Sequence, residues 1–315
     1  MTDSTLTRAR PAPPAHPRRP APPAAARRWR PRPARLALHA FLLVAALLWF
    51  GPIAYAIYTS FRPYEDTGGS PKGYWSLPDR LTLENYAAAW NDADLPHYFV
   101  NTMLVTLPAV VLTLFLASLA AYGLSRRSGK LNLALLMLFT AGNLLPPQVI
   151  ITPLYRMFLL IPLPEWLSLS GTMYDSYWGL LAIHVAFQMG FCVFVLSNFL
   201  RRLPEELFEA ARVDGASPWR QYWQIVLPLS RPALGALATL EFAWIYNDFF
   251  WALILIQTGQ NRPITSALSG LQGQYFTNNN LVAAAAILTA IPTLVVFFAL
   301  KRQFVSGLTL GAIRD

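Results

Sequence analysis

Long apolar runs separated by short polar gaps dominate this sequence, and their lengths are those of helices that cross a bilayer. The runs fall at about residues 36–60, 98–124, 131–145, 177–200, 233–257 and 281–299. The third meets Pro146-Pro147 after roughly 15 residues, or about 22 Å of helix, which predicts a break inside the outer half of the bilayer. Broken backbone at that depth must be buried in protein or line a cavity. The sixth run contains Pro292, and the first contains Pro52. Ala54-Tyr55-Ala56 looks like a signal-peptidase site, but the run before it exceeds an h-region of about 7–15 residues, so an uncleaved helix is expected. The fold class predicted is an all-α integral membrane protein with six transmembrane helices.

The polar gaps are unequal. Residues 61–97 form an external loop with six acids and three basic residues, and its Tyr74, Trp75 and Trp90 mark it as packed or interfacial. A second external loop is expected at about 151–175 and a third at 258–280. The longest gap of the second half, EELFEAARVDGASPWRQYWQIVLP at 205–228, reads as a helical hairpin within a polar segment at 201–231. Pro204 suits a first helical position, with Glu205 and Glu206 at the positive end of the helix dipole. Gly215 suits a left-handed cap, and Ser217-Pro218 restarts a helix. Such a segment between two spans is built as a docking surface.

Composition agrees with lipid burial. The 315 residues are 55% hydrophobic and 13% charged, against roughly 25% charged in a soluble domain. The net charge of +9 is misleading, because residues 1–35 hold nine arginines against Asp3, leaving +1 for the rest. That tail is rich in Pro, Ala and Arg and has almost nothing to bury, so it is expected to be disordered and to lie near anionic lipid. Its arginines lack interleaved aromatics apart from Trp29, so nucleic acid is not an expected partner. Twenty basic residues fall on the face of the tail and hairpin and five on the other, which puts both termini and the hairpin in the cytoplasm. The single Cys192 excludes an intrachain disulfide.

Candidate chemistry sits inside the spans. Glu241 and Asp248 are seven apart on the fifth run, which on one helix would turn both to one side with Trp244 between them. Intramembrane carboxylates mark a cavity or pathway, or else fix helix packing. Asn247, Trp244 and the nearby aromatics offer an amide and an aromatic wall suited to sugars. Asn143 and Gln148 flank the broken third run, and transporters build substrate sites at such breaks. His184 and Gln188 share a face of the fourth run, where a packing role outweighs a ligand role. No second ligand stands at metal spacing, so no metal is expected. GLSRRSGKL at 123–131 misses the phosphate-loop pattern, so the chain cannot itself harvest ATP. An ion-coupled carrier using Glu241 and Asp248 is the competing class, separable by the ATP dependence of uptake.

Glu209-Ala210-Ala211, then Gly215, then Ile225, Leu227 and Pro228 reproduce the pattern EAA-x3-G-x9-I-x-LP. In this the chain resembles permease subunits of binding-protein-dependent ABC importers. The stretches at 101–126, 245–255, 271–280 and 303–315 are similar to the carbohydrate branch, particularly its second maltose permease component. The resemblance covers about residues 36–315, with a permease core at 98–302 and a short cytoplasmic tail at 303–315.

That resemblance implies a type I importer fold in a bacterial or archaeal cell membrane. It implies a second homologous permease, two ATP-binding cassette subunits that use ATP and Mg, and an external solute-binding protein. The hairpin would be a coupling helix in a groove of an ATPase subunit. Ala210, Ala211 and Gly215 would allow close approach, while Glu209, Arg212 and Asp214 would lie at its charged rim. Leu271, Gln272, Gly273, Gln274 and Tyr275 become candidate contacts for the binding protein. The cargo implied is a sugar, with glycerol-phosphate-type solutes as the alternative. In maltose-like importers most solute contacts come from the other permease, which counts against Glu241, Trp244, Asn247 and Asp248 as direct ligands.

Overall fold

A computed structural model describes residues 33–67, 76–78, 80–126, 129–142, 146–272 and 278–309. It divides into two units, residues 1–51 and 52–315. Among the described residues there is no β-strand, only an isolated bridge between Pro162 and Thr172.

Helix α1 (Pro33–Ser60) is continuous and contains Pro52. After it come α2 (Glu84–Asn91), α3 (Leu95–Ser125) and α4 (Lys130–Gly142). Then follow α5 (Ile151–Leu160), α6 (Tyr177–Leu200) and α7 (Glu205–Val213). Helix α8 (Pro218–Gln221) runs through a π-helical turn at Tyr222–Val226 into α9 (Leu227–Tyr246). Short helices α10 (Phe250–Leu255) and α11 (Ile264–Gly270) precede the long α12 (Asn279–Thr309). Among the described residues five helices are long and apolar enough to cross a membrane, or six if the pair Lys130–Gly142 and Pro147–Leu160, bent by 91°, counts as one broken span.

Four differences from the sequence expectation stand out. The second external loop is helical over Ile151–Leu160; ten residues are too few for a span, yet Leu154 and Phe158 give the segment a buried face. The fifth run is two helices, because α9 ends at Tyr246 and Asn247 caps it. The second arm of the hairpin is the beginning of that fifth span, with no loop between them. Pro204 stands one place before the expected position, with extended backbone (ψ 134°) preceding Glu205.

Helices α3 and α6 form the principal pair in the core, and α9 packs on α12 and α3. Gly235 permits the close approach of α9 and α12, since a Cβ there would lie 2.9 Å from the Gln303 side chain. At the hairpin end, Ala117, Ala121, Cys192, Leu196, Phe208, Tyr222 and Leu237 close one apolar cluster. At the opposite end, a buried polar knot ties the loop after α1 to α2 and α12. Asn85 donates to the carbonyls of Ser60 and Arg62, at 2.9 and 2.8 Å. Asn280 donates to Arg62 O at 2.7 Å and accepts from Thr67 Oγ1 at 2.6 Å. Arg62 itself is fully buried, with its guanidinium near Ser76 Oγ (2.9 Å) and 5.1 Å from the Tyr58 ring centroid.

Candidate coupling surface and intramembrane polar groups

The hairpin is built by local rules. Glu205 and Glu206 open α7 and Arg212 closes it, so both ends complement the helix dipole. Gly215 has φ +75°, and its N–H reaches Arg212 O at 3.0 Å while Ala216 N–H reaches Ala211 O at 2.8 Å. Those two bonds are a Schellman cap, and its left-handed position is the reason for glycine here. A Cβ at Gly215 would meet nothing within 4 Å; within this chain the site demands a conformation, and its small size leaves room for something outside. Ser217 caps the second arm, its hydroxyl accepting from Arg220 N–H.

Between the two arms the hairpin has a buried root and an exposed crest. Phe208 is 1% exposed and enters the cluster formed by α3, α6 and α9. Glu209, Ala210, Arg212, Val213, Asp214 and Gly215 are exposed, and Ala211 is half-buried. Glu209 and Arg212 form a 3.6 Å surface ion pair, which contributes little to stability in water. Ile225 and Leu227 are half-buried and Pro228 is exposed, in the second arm as it becomes α9.

Two side chains of α3 and that of its C-cap residue, Arg126, reach the hairpin. Ser118 Oγ lies 2.7 Å from Tyr222 Oη, and Tyr122 Oη donates to Gln221 Oε1 at 3.3 Å. Arg126 donates from Nη2 to Leu200 O at 2.8 Å, and its guanidinium lies 3.5 Å from the Phe208 ring centroid. Burial pulls the Arg126 pKa down from its usual value, Arg212 adds to this, and Tyr122 and Glu205 oppose it. A cavity of about 790 Å³ opens beside these groups, lined by Tyr122, Arg126, Phe208, Arg212 and Gln221 among others. The sequence reading used Arg126 only as a topological charge, although the spacing of four between Ser118, Tyr122 and Arg126 was available to it.

The intramembrane candidates do not form one site. Glu241 is fully buried, and its Oε1 accepts from Cys192 Sγ at 3.1 Å. Asp248 lies beyond the end of α9 and caps α10, accepting from Trp251 N–H at 3.3 Å and Ala252 N–H at 3.0 Å. Its Oδ2 is 3.6 Å from His184 Nε2, and its carbonyl accepts from the Thr265 hydroxyl. The expected common face of Glu241 and Asp248 is therefore absent, because the helical register between them is interrupted at Asn247. Trp244 is exposed and packs edge-on against Phe191 at 5.3 Å. Asn247 is exposed and donates to Ala243 O and Thr293 Oγ1. Gln188 is half-buried and Gln148 exposed. Asn143 lies outside the described residues.

On the far end, Leu271 is half-buried and Gln272 exposed, while Gly273, Gln274 and Tyr275 lie outside the described residues. Sequence reading missed Asp175, which has φ 55° and accepts from Gln257 N–H (2.8 Å), Thr258 N–H (3.0 Å) and Thr258 Oγ1 (2.6 Å). This carboxylate ties the start of α6 to the end of α10. Among the described residues no group of three or more His, Cys, Asp or Glu side chains could hold a metal ion.

The described residues thus form an apolar helix bundle with an exposed, twice-capped hairpin between two spans. Residues 109–309 match the family described as binding-protein-dependent transport system inner membrane component. The chain belongs to that family. It is 33% identical to the melibiose/raffinose/stachyose import permease of Bacillus subtilis strain 168, over 86% of this chain and 94% of that protein. It is 29% identical to the diacetylchitobiose uptake system permease of Streptomyces coelicolor, over 88% of both chains. Its fold matches a chain of a bacterial ABC transporter that imports the acidic polysaccharide alginate, with TM-score 0.70, 20% identity, and 87% and 97% of the two chains covered. A second crystal structure of an alginate transporter, in complex with a periplasmic protein that holds an alginate pentasaccharide, matches with TM-score 0.61 and 18% identity. This inner-membrane component is therefore a multi-pass transport subunit of an ABC importer and not an enzyme.

Proposed function

We propose that this permease moves a di- or oligosaccharide across the cell membrane by alternating access, driven by ATP hydrolysis in partner subunits. The observation that carries the reading is the hairpin, whose Glu209–Gly215 crest is exposed while Phe208 roots it among three membrane helices. An exposed crest on a rigid root can receive force from a partner and deliver it to the spans. The sugar assignment is supported by relatives that import melibiose, raffinose and stachyose or take up diacetylchitobiose.

In this reading a second homologous permease pairs with the chain, and two ATP-binding cassette subunits bind ATP and Mg. The hairpin and both termini face the cytoplasm, supported by the excess of basic residues on that side. Glu209, Ala210, Ala211, Arg212, Asp214 and Gly215 meet the ATPase, while Ile225, Leu227 and Pro228 set the second arm. A solute-binding protein docks at the opposite end, near Leu271 and Gln272, and releases the sugar into a cavity between the permeases. Glu241 serves packing, with its carboxylate turned to Cys192, and Gln188, Trp244 and Asn247 remain the candidates for lining the path.

The test is reconstitution of the four-component importer in proteoliposomes with labelled oligosaccharide. Uptake is expected to require ATP and the binding protein, and to persist when proton and sodium gradients are collapsed. Uptake that follows an ion gradient without ATP would overturn the reading.

A further inference from the structure

Proteins of this kind need a path from the hairpin into the membrane helices, and the packing around α3 supplies one. Ser118, Tyr122 and Arg126 stand at intervals of four, so they form one stripe along the last turns of α3. Each reaches a different part of the hairpin. Ser118 holds Tyr222 at the root of the second arm (2.7 Å). Tyr122 holds Gln221, and Gln221 Nε2 in turn donates to Ala216 O (2.9 Å), the residue that completes the Schellman turn. Arg126 lies on the Phe208 ring of the first arm, 3.5 Å from its centroid. The same guanidinium donates to Leu200 O at the last residue of α6 (2.8 Å). One side chain thus spans α3, α6 and α7.

We propose that Arg126 is the positioning residue that transmits hairpin movement into α3 and α6. The proposal rests on the coupling role assigned to the hairpin above. A guanidinium suits the task in a way that lysine does not. Its plane can lie on an aromatic ring while its edge donates to a carbonyl, so both attachments are made at once and in fixed relative geometry. The carbonyl it holds, at the end of α6, also accepts from Leu203 N–H at 3.3 Å, so Arg126 supplies its second and shorter bond. Phe208 is held from the other side by the apolar cluster, so the ring cannot slip when the crest is pushed. A hairpin attached only through its covalent ends would swing on residues 201–204; with Arg126 in place, displacement of α7 must carry the ends of α3 and α6 with it.

The test uses the complete importer in nanodiscs with its binding protein, measuring solute-stimulated ATPase and solute moved per ATP hydrolysed. Arg126→Met keeps the aliphatic length and removes both attachments; Phe208→Leu keeps an apolar root and removes the ring. Each is expected to co-purify with the ATPase subunits; Phe208→Leu, which loses the ring contact alone, is expected to lower solute moved per ATP by about fivefold, and Arg126→Met, which also loses the charged hydrogen bond to Leu200 O, by more than about tenfold. Arg126→Lys is expected to fall between wild type and Arg126→Met. The double variant is expected to be no worse than Arg126→Met alone, since that change already removes the ring contact that Phe208→Leu cuts. Multiplicative losses in the double variant, or an Arg126→Met importer with normal transport per ATP, would overturn the proposal. Gly215→Trp on the crest separates the two levels of inference. If it uncouples while Arg126→Met does not, the hairpin couples and Arg126 is not its strut; if neither uncouples, the coupling role of the hairpin is itself wrong.

Discussion

Gly215 offers a quantitative test of the hairpin, because its two possible reasons for being glycine predict different variants. One reason is conformational. The residue sits at φ +75° in the Schellman turn, and a side chain there costs roughly 1–2 kcal/mol for most residues and less for asparagine. The other is spatial, since the crest would seat against the ATPase. Within this chain a Cβ meets nothing within 4 Å, so any steric cost must come from the partner. Gly215→Ala should therefore weaken the turn by about 1 kcal/mol, after the smaller entropy of the unfolded alanine chain is allowed for. That is about a fivefold rise in local opening, readable as faster amide exchange over 205–228 in the isolated permease. Gly215→Asn should exchange nearly as slowly as wild type. In the assembled importer the order should change. Gly215→Ala and Gly215→Asn should keep most of the solute-stimulated ATPase, while Gly215→Trp should abolish it without altering membrane insertion. Equal loss of stimulation in the Asn and Trp variants would refute the close-seating argument, because asparagine restores the backbone and only tryptophan fills the space. Unchanged amide exchange in Gly215→Ala would refute the conformational one.

Three further outcomes follow from single side chains. Asp175→Ala removes the carboxylate that three donors of residues 257–258 share and leaves a positive φ without its usual residue; it should cost about 3 kcal/mol of thermal stability in detergent, with Asp175→Asn costing about 1, and equal melting of both variants would show that an uncharged acceptor contributes nothing there. Glu241→Gln keeps an acceptor for the Cys192 thiol in the same buried volume, so apparent solute affinity should be unchanged in uptake assays; a clear loss would mean that this carboxylate meets the cargo. Asn280→Ala opens the polar knot by removing one partner each from Arg62 O, which keeps Asn85, and from Thr67 Oγ1, which keeps Tyr64 O; a loss of about 1 kcal/mol is expected, seen as a lower melting temperature with the hairpin region unaffected in proteolysis.

What the sequence made legible was local. The caps at Gly215 and Ser217 could be read because each depends on residues within one turn, and the structure has both. The spans at 36–60, 98–124 and 177–200 could be read because hydropathy needs no tertiary information, and their helices agree to within a few residues. The break at Asn247 could not. The run from 233 to 257 carries no proline and is apolar apart from Thr239, Glu241, Asn247, Asp248 and Gln257, and the break there is fixed by Asp248 capping α10 locally together with two distant partners, His184 from α6 beside its carboxylate and Thr265 on its carbonyl. The argument that Glu241 and Asp248 share a face failed for that reason, since spacing carries meaning only where the helix is unbroken. Helix α5 was read as loop because ten residues fall short of a span. Arg126 was read for its charge alone, and its ring and carbonyl partners lie 82 and 74 positions away in the chain.

The continuity of α8, the π-turn and α9 changes how the hairpin works in the proposed importer. As a hairpin between two spans it would have two flexible roots. Here the second arm is the first part of a 29-residue helix, Pro218–Tyr246, about 44 Å long at 1.5 Å per residue. The arm and α9 share one helical path that carries Glu241 and Trp244 and is capped at its far end by Asn247, with the π-turn, Pro228 and Pro232 as the places where it can bend. The π-turn at Tyr222–Val226 inserts an extra residue where Tyr222 meets Ser118 and where Ile225 belongs to the signature; π-turns shift the faces of a helix relative to each other, so the crest and the buried face of α9 can each keep their own partners. The first arm, by contrast, reaches α3 and α6 through side chains. The hairpin is thus continuous with one span and held by noncovalent contacts to two others. A push on the crest would rotate α9 directly and drag α3 and α6 only as firmly as Phe208 and Arg126 hold, which is where loss of coupling without loss of assembly is to be sought.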